Sequence, residues 1–290
     1  MLNKQNFLGF FLASRPINLF IAWLTFSVAA YFSYLYNFQF FSSSIYWLQA
    51  LCIIFIAASG YIVNDLYDYK IDLINKPNKT YVNIYASSKK FWTFYFLLIF
   101  FAFFLSLFLP IKLLIINYMS IILLYFYAYY FKRYAIIGNL IISTLASIVI
   151  ICGGLLVHIK LPLMWMTIFA FLITLIREIV KDVEDIKGDL KNQLKTLPII
   201  SGLKLTQTVI LGLIFVLMIS VLLPLVLHYW IFKEFLWKYF LMGNLLVNFP
   251  LIGVVLILLK KGVFLDKYTK VSYWLKWIMI GGIISCFFLK

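Results

Sequence analysis

Acid is scarce in this chain and confined to a few places. Eight of its ten Asp and Glu residues lie in two short windows, Asn64-Asp65-Leu66-Tyr67-Asp68-Tyr69-Lys70-Ile71-Asp72 and Arg177-Glu178-Ile179-Val180-Lys181-Asp182-Val183-Glu184-Asp185-Ile186-Lys187-Gly188-Asp189. Asp65, Asp68 and Asp72 are three and four residues apart, so a helix would put them on one face, with Asn64 flanking it. Glu178, Asp182, Asp185 and Asp189 repeat the pattern at four, three and four. Like charges at these spacings destabilise a bare helix, and a membrane boundary adds desolvation to that cost. A bound cation removes both costs. Neither window holds His or Cys, and oxygen-only donors favour a hard ion. Mg²⁺ typically takes one or two carboxylates, several waters and phosphate oxygens. Two facing clusters therefore make half of a diphosphate site, which the substrate completes. The competing reading is a pair of solvated acidic helix ends, ion-paired to Lys70, Lys181 and Lys187. Two clusters of matched spacing on one side of a membrane favour the metal.

Basic residues accompany the acid. Arg177 and Lys181 lie in the second window, Lys132 and Arg133 precede Gly138-Asn139, and Arg15 sits in Ser14-Arg15-Pro16-Ile17-Asn18. A departing diphosphate needs its developing charge neutralised, and these cations are candidates for that work. Each has a plainer reading as a topology anchor or a snorkelling side chain.

The elements that position these residues follow from composition. Hydrophobic residues make up 65% of the 290, charged residues 12%, and mean hydropathy is +1.02. Soluble domains run nearer half apolar and a quarter charged. Runs of roughly 20 apolar residues, the length a bilayer core requires, follow one another along nearly the whole chain. The expectation is an all-α, polytopic membrane protein, one domain over 1–290. Nine spanning helices are predicted, near 16–36, 45–68, 91–109, 111–131, 136–157, 162–181, 204–228, 237–259 and 271–288, with Pro110 separating the third from the fourth. With that count, 19 of the 25 Lys and Arg fall on the side of the N-terminus and five on the other, with Lys276 just inside the last helix. The positive-inside rule then makes the N-terminus and both aspartate windows cytoplasmic and the C-terminus external, in the cell (inner) membrane. The same distribution excludes a nucleic-acid partner, because the net charge of +15 resides in short loops. Cys52, Cys152 and Cys286 lie far apart in apolar segments and are expected as free thiols. No cleaved signal peptide is expected. Pro224, Pro250, Asn244 and Asn248 predict kinks and interhelical hydrogen bonds in helices seven and eight, and His158 and His228 at outer helix ends are assigned no catalytic role.

The windows resemble the UbiA-type intramembrane prenyltransferases. NDLYDYKID (64–72) matches that family's NDxxDxxxD motif at every fixed position, DVEDIKGD (182–189) matches DxxDxxxD, and YYFKR (129–133) followed by Gly138-Asn139 is similar to its middle stretch. The resemblance implies a bundle of about nine helices around a central cavity. Within the family, REIVKDVEDIKGDLKNQLKTLPI (177–199) is most similar to the enzymes that transfer a geranylgeranyl group to geranylgeranylglyceryl phosphate. After the first motif the family commonly has arginines and a later proline, where this chain has Asn75-Lys76-Pro77-Asn78-Lys79-Thr80-Tyr81. Lysine keeps the charge and loses the bidentate fork.

The resulting expectation is Mg²⁺-dependent transfer of a polyprenyl group from its diphosphate to a lipid-soluble acceptor. That acceptor is geranylgeranylglyceryl phosphate or, as the alternative, an aromatic acid of quinone biosynthesis. Two Mg²⁺ ions would be held by Asn64, Asp68 and Asp72 and by Asp185 and Asp189, with Asp65 and Asp182 either direct ligands or their supports. Arg177, Lys181, Lys132 and Arg133 would share the remaining charge as catalytic cations. Arg15, Asn18, Lys79, Tyr129 and Asn139 would bind substrate. Prenyl diphosphate, a lipophilic acceptor and membrane lipid are the partners implied. Two rivals fit less well. A membrane phosphotransferase needs a Gly after its first Asp and an Ala-Arg downstream, which neither window supplies. A divalent-cation transporter would place its acid near the bilayer midplane.

Overall fold

The computed structural model describes residues 4–75, 80–159, 161–260 and 264–289. These form twelve α-helices: α1 (Lys4–Ala13), α2 (Pro16–Ser33), α3 (Ser44–Asn75), α4 (Ser88–Ser106), α5 (Ile111–Tyr129), α6 (Ile137–Gly154), α7 (Leu161–Glu184), α8 (Ile186–Lys191), α9 (Leu197–Phe232), α10 (Trp237–Gly243), α11 (Phe249–Leu259) and α12 (Phe264–Cys286). Eight stretches among the described residues are long and apolar enough to cross a membrane, the eighth being Trp237–Leu259, which combines α10 and α11. The ninth predicted span corresponds to α12, which has 23 residues and includes Asp266, Lys267, Lys270 and Lys276. The chain is an integral membrane protein, and the regular elements among the described residues are all helices.

The helices enclose two large apolar clusters. One gathers Phe26, Ala29, Ala30, Phe32, Tyr46, Cys52, Leu113 and Ile150 from α2, α3, α5 and α6. The other gathers Ile176, Val180, Ile214, Leu251, Val254 and Leu275 from α7, α9, α11 and α12. Between helices in lipid, close backbone approach takes over from the hydrophobic effect as the driving force. A Cβ on Gly153 would fall 2.5 Å from that of Ala29, so α2 and α6 meet through their smallest residues. A third cluster, with Phe10, Ala58, Ile62, Phe91 and Tyr95, packs α1 and α4 against α3.

Three departures from the predicted helices bear on function. The predicted second helix, 45–68, continues to Asn75 as α3, which has 32 residues. At 1.5 Å per residue that is about 48 Å, well beyond a hydrocarbon core of about 30 Å. A hydrocarbon core thus accommodates only part of α3, and the aspartates lie in its C-terminal third, still helical. Second, the helix carrying the second window breaks at Asp185 (φ −91°, ψ 4°) and resumes as α8. The even spacing of Glu178, Asp182, Asp185 and Asp189 thus spans a turn, and Asp189 belongs to a separate short helix. Third, the predicted helix 204–228 is preceded by a short helical segment from Leu197, set off by a kink where Gly202 takes φ 76°, and beyond it the helix runs through Pro224. Asn244 and Asn248 occupy a π-helical turn before Pro250. They bond within their own segment, to the Phe240 carbonyl at 2.8 Å and to each other at 3.0 Å, in place of the predicted interhelical bonds.

Candidate active site

The C-terminal end of α3 supplies the first group. Asp65 and Asp68 are 6% and 4% exposed, and each meets a cation from another element. Arg15 Nη2 donates to Asp65 Oδ1 at 2.7 Å, and Lys132 Nζ donates to Asp68 Oδ2. Asn64 Nδ2 also donates to Asp68 Oδ2, at 2.6 Å, one helical turn away as the spacing requires. Arg15 is held in a left-handed conformation (φ 53°) just before Pro16 starts α2. Its guanidinium lies 4.8 Å from the centre of the Tyr61 ring, a cation–π contact that shares it between the ring and the carboxylate.

Lys132 comes from the short 3₁₀ turn Phe131–Arg133 that joins α5 to α6. The turn is tied at the same end of the bundle to the segment after α8. The Lys195 N–H donates to the Arg133 carbonyl at 2.9 Å, and Tyr134 and Lys195 form a parallel bridge. Burial pulls the Lys132 ammonium down, but Asp68, Tyr127 and Asp72 more than offset it, and its pKa stands above the ordinary lysine value. The Arg15 guanidinium is likewise lowered by burial and raised further by Asp65, Tyr61, Asp72 and Glu178. Both pKa values are shifted toward the charged form. Arg15 thus feels charge from both windows, through Asp65 and Asp72 of the first and Glu178 of the second.

α6 and α7 supply the other wall. Tyr127, Lys132, Gly138, Asn139, Glu178 and Asp182 line one polar pocket. Asn139 Nδ2 donates to Asp182 Oδ2 at 2.8 Å, which orients that carboxylate into the pocket. Glu178 accepts from Arg177 Nη1 and Lys181 Nζ, each at 3.0 Å. Asp189 is buried on α8, and Asp185 occupies the α7–α8 break.

Not every predicted site residue joins this constellation. Arg177 and Lys181 meet Glu178, as described. Arg133 is exposed, and its backbone carbonyl accepts from the Lys195 N–H. Tyr129 is 49% exposed and packs with Tyr67 and Tyr125, outside the pocket. The pocket tyrosine is Tyr127, because two residues along a helix turn a side chain to roughly the opposite face. Asn18 is half-buried one turn into α2, with no side-chain hydrogen bond to the site among the described residues. Lys79 lies outside the described residues. Conversely, Tyr61, Tyr127 and Glu178 belong to the site. Glu178 shares the α7 face of Asp182 by its spacing, whereas the two tyrosines carry no signal in a chain with twenty.

The donor set suits a hard divalent ion completed by phosphate. No three His, Cys, Asp or Glu side chains among the described residues converge closely enough to cage an ion by themselves. Each window offers a few oxygens, and Mg²⁺ commonly takes one or two carboxylates with phosphate and water making up the rest. Asn64 Oδ1 is buried without a hydrogen-bond partner among the described residues, an oxygen one turn from Asp68 with nothing yet to bind. The cations on Asp65 and Asp68 show that these carboxylates demand positive charge. An incoming diphosphate would find Arg15 and Lys132 at the same place.

The sequence profile described as the UbiA prenyltransferase family matches residues 22–275. Digeranylgeranylglyceryl phosphate synthase of Methanosphaera stadtmanae is 34% identical over 220 residues, covering 76% of this chain and 78% of that one. A solved structure concerning digeranylgeranylglyceryl phosphate synthase superposes with a TM-score of 0.71 at 27% identity, over 97% of this chain and 98% of that one. The structure of a UbiA homolog from Archaeoglobus fulgidus bound to DMAPP and Mg²⁺ superposes with a TM-score of 0.65 at 16% identity, over 96% and 98% of the two chains.

Proposed function

The chain belongs to the UbiA prenyltransferase family, and we propose that it transfers a geranylgeranyl group from geranylgeranyl diphosphate to the hydroxyl of geranylgeranylglyceryl phosphate, forming an ether. The observation that carries the reading is the pairing of Arg15 and Lys132 with two buried carboxylates of one motif, beside a pocket lined by the other. The archaeal relatives, named as digeranylgeranylglyceryl phosphate synthases, support the choice of acceptor.

In this reading Asn64, Asp68 and Asp72 on α3 would hold one Mg²⁺, and Asp185 and Asp189 would hold a second. When bound, the ions neutralise charge on the departing diphosphate. The remaining work belongs to the protein. Lys132 and Arg15 bring fixed positive charge to the diphosphate oxygens, and they do so from a site where burial strengthens the interaction. Asn139 holds Asp182 in one orientation, and Glu178 gathers Arg177 and Lys181 at the pocket edge. The allylic carbon–oxygen bond breaks with its electron pair leaving on diphosphate. The acceptor oxygen bonds to that carbon, and its proton passes to the released diphosphate or to water. We place the motifs and the N-terminus on the cytoplasmic side, where 19 of the 25 basic residues would also lie.

The test is a transfer assay with purified protein, Mg²⁺ and labelled geranylgeranyl diphosphate. Geranylgeranylglyceryl phosphate is offered in one reaction and aromatic quinone precursors in others. Ether product that disappears in Asp68→Ala is the expected result. Product with an aromatic acid alone would keep the chemistry and replace the acceptor. No product, with no metal-dependent binding of the diphosphate, would overturn the reading.

A further inference from the structure

Asn75 belongs to neither aspartate motif, yet it joins them. It is the last residue of α3, and its carboxamide crosses to the turn between α7 and α8. Nδ2 donates to the Asp185 carbonyl at 2.9 Å, and Oδ1 accepts from the Gly188 N–H at 2.8 Å. Both functions of one amide are thus engaged with the backbone of the second motif, some 110 residues along the chain. The fit dictates the partner. A Cβ on Gly188 would lie 2.4 Å from Asn75 Nδ2 and 2.8 Å from Oδ1, so any larger residue would push the amide away. The Gly188 carbonyl in turn accepts from Asn192 N at 3.0 Å and Nδ2 at 2.8 Å, which fixes the far side of the same turn.

The two motifs come from different helices, and neither brings enough oxygen to bind an ion alone. Their separation therefore decides whether one diphosphate can be gripped from both sides, and such sites tolerate displacements of only about 0.5 Å. We infer that Asn75 is a positioning residue, an amide latch that sets the distance between the aspartates of α3 and those at Asp185 and Asp189, with Gly188 as its keeper. The inference rests on the proposed function, since it is the metal–diphosphate complex that needs the spacing. Asn75 acts through the backbone that carries two carboxylates.

The experiment uses the full chain in detergent, as wild type, Asn75→Leu, Asn75→Ala, Gly188→Ala and the Asn75→Ala/Gly188→Ala double variant. Binding of Mn²⁺, visible by its EPR signal, is titrated in the presence of geranylgeranyl diphosphate and without acceptor. Thermal midpoints are recorded in parallel. Asn75→Leu and Gly188→Ala should each raise the half-saturating Mn²⁺ concentration about tenfold, for a loss of about 1.4 kcal/mol in binding. The double variant should be no worse than Asn75→Ala, because removing the amide makes room for the new methyl group and the two changes are not independent. Half-saturation within twofold of wild type in Asn75→Leu and Asn75→Ala would overturn the latch. So would effects that multiply in the double variant, or midpoints that fall while metal binding holds. Wild type that binds no Mn²⁺ with the diphosphate would remove the proposed function beneath the latch, and the latch with it.

Discussion

Helix α3 carries two buried polar clusters, one toward each end, and they are built on opposite plans. Near its start, Gln49 and Asn117 of α5 exchange both amide bonds, Nε2 to Oδ1 and Nδ2 to Oε1, each at 3.0 Å. Asn117 Nδ2 also reaches Ser106 Oγ at 2.9 Å, and that hydroxyl donates to the Ala102 carbonyl at 2.7 Å. Every member is neutral, and donors meet acceptors within the protein. Near its end, Asn64, Asp65 and Asp68 are charged or polar and lean on cations from two other elements, and Asn64 Oδ1 is left over. Buried polar groups cost free energy unless satisfied. A cluster that closes on itself holds helices together. One that needs charges from elsewhere and still leaves an oxygen free is arranged for a ligand.

If that contrast is right, substitutions at the two clusters should separate activity from stability. The largest effect is expected at Asp68, which accepts from both Asn64 and Lys132. Asp68→Ala should lower the transfer rate by about 10³-fold or more, the upper range for loss of a single preorganised electrostatic group, with the protein still extracted as a monodisperse species on size-exclusion chromatography. A variant that kept a tenth of the rate would break the comparison at its strongest point. Lys132→Met should follow, with kcat/KM for the prenyl diphosphate down by about 10²-fold. Lys132→Arg should recover only part of the loss, since the guanidinium is wider and planar.

A smaller effect sharpens the boundary of the charged cluster. Tyr127 lines the pocket and Tyr129, two residues on, packs against Tyr67 and Tyr125 outside it. Tyr127→Phe should raise KM for the diphosphate severalfold in steady-state assays, whereas Tyr129→Phe should match wild type. Equal effects would mean that the pocket extends around α5.

Sequence spacing reached most of the charged cluster and little of the neutral one. Asp65, Asp68 and Asp72 could be placed on one face because three and four residues bring side chains together on any helix. Lys132 could be named as a cation at a short connection in an otherwise apolar region, and Asn139 through the resemblance of the stretch around it to the family's. What spacing could not give was partnership across helices. Nothing local says that Arg15 would settle on Asp65, that α7 would break at Asp185, or that Asn75 would reach Gly188, because each depends on how distant helices dock. Gln49 and Asn117 are illegible in the sequence for the same reason. A single amide in an apolar run carries no pattern, and its meaning appears only when its partner, 68 residues away, faces it.

That neutral pair supplies the smallest expected effect and the cleanest separation. Gln49→Leu removes one partner and leaves Asn117 Oδ1 buried without its donor, at a cost of about 1 kcal/mol, the order found for interhelical hydrogen bonds in membranes. Replacing both residues, Gln49→Leu with Asn117→Leu, strips the orphan as well, and Ser106 keeps its bond to Ala102. The double variant should therefore recover part of the lost stability, since exchanging both partners for apolar groups approaches neutrality. Thermal unfolding in detergent would read the drop and the recovery, and transfer rates measured below the transition should stay at the wild-type value in both. A loss of transfer in Gln49→Leu would mean that the neutral cluster also tunes the reaction. The two ends of α3 would then be coupled through the helix, and the plan that separates glue from site would have to be redrawn along its whole length.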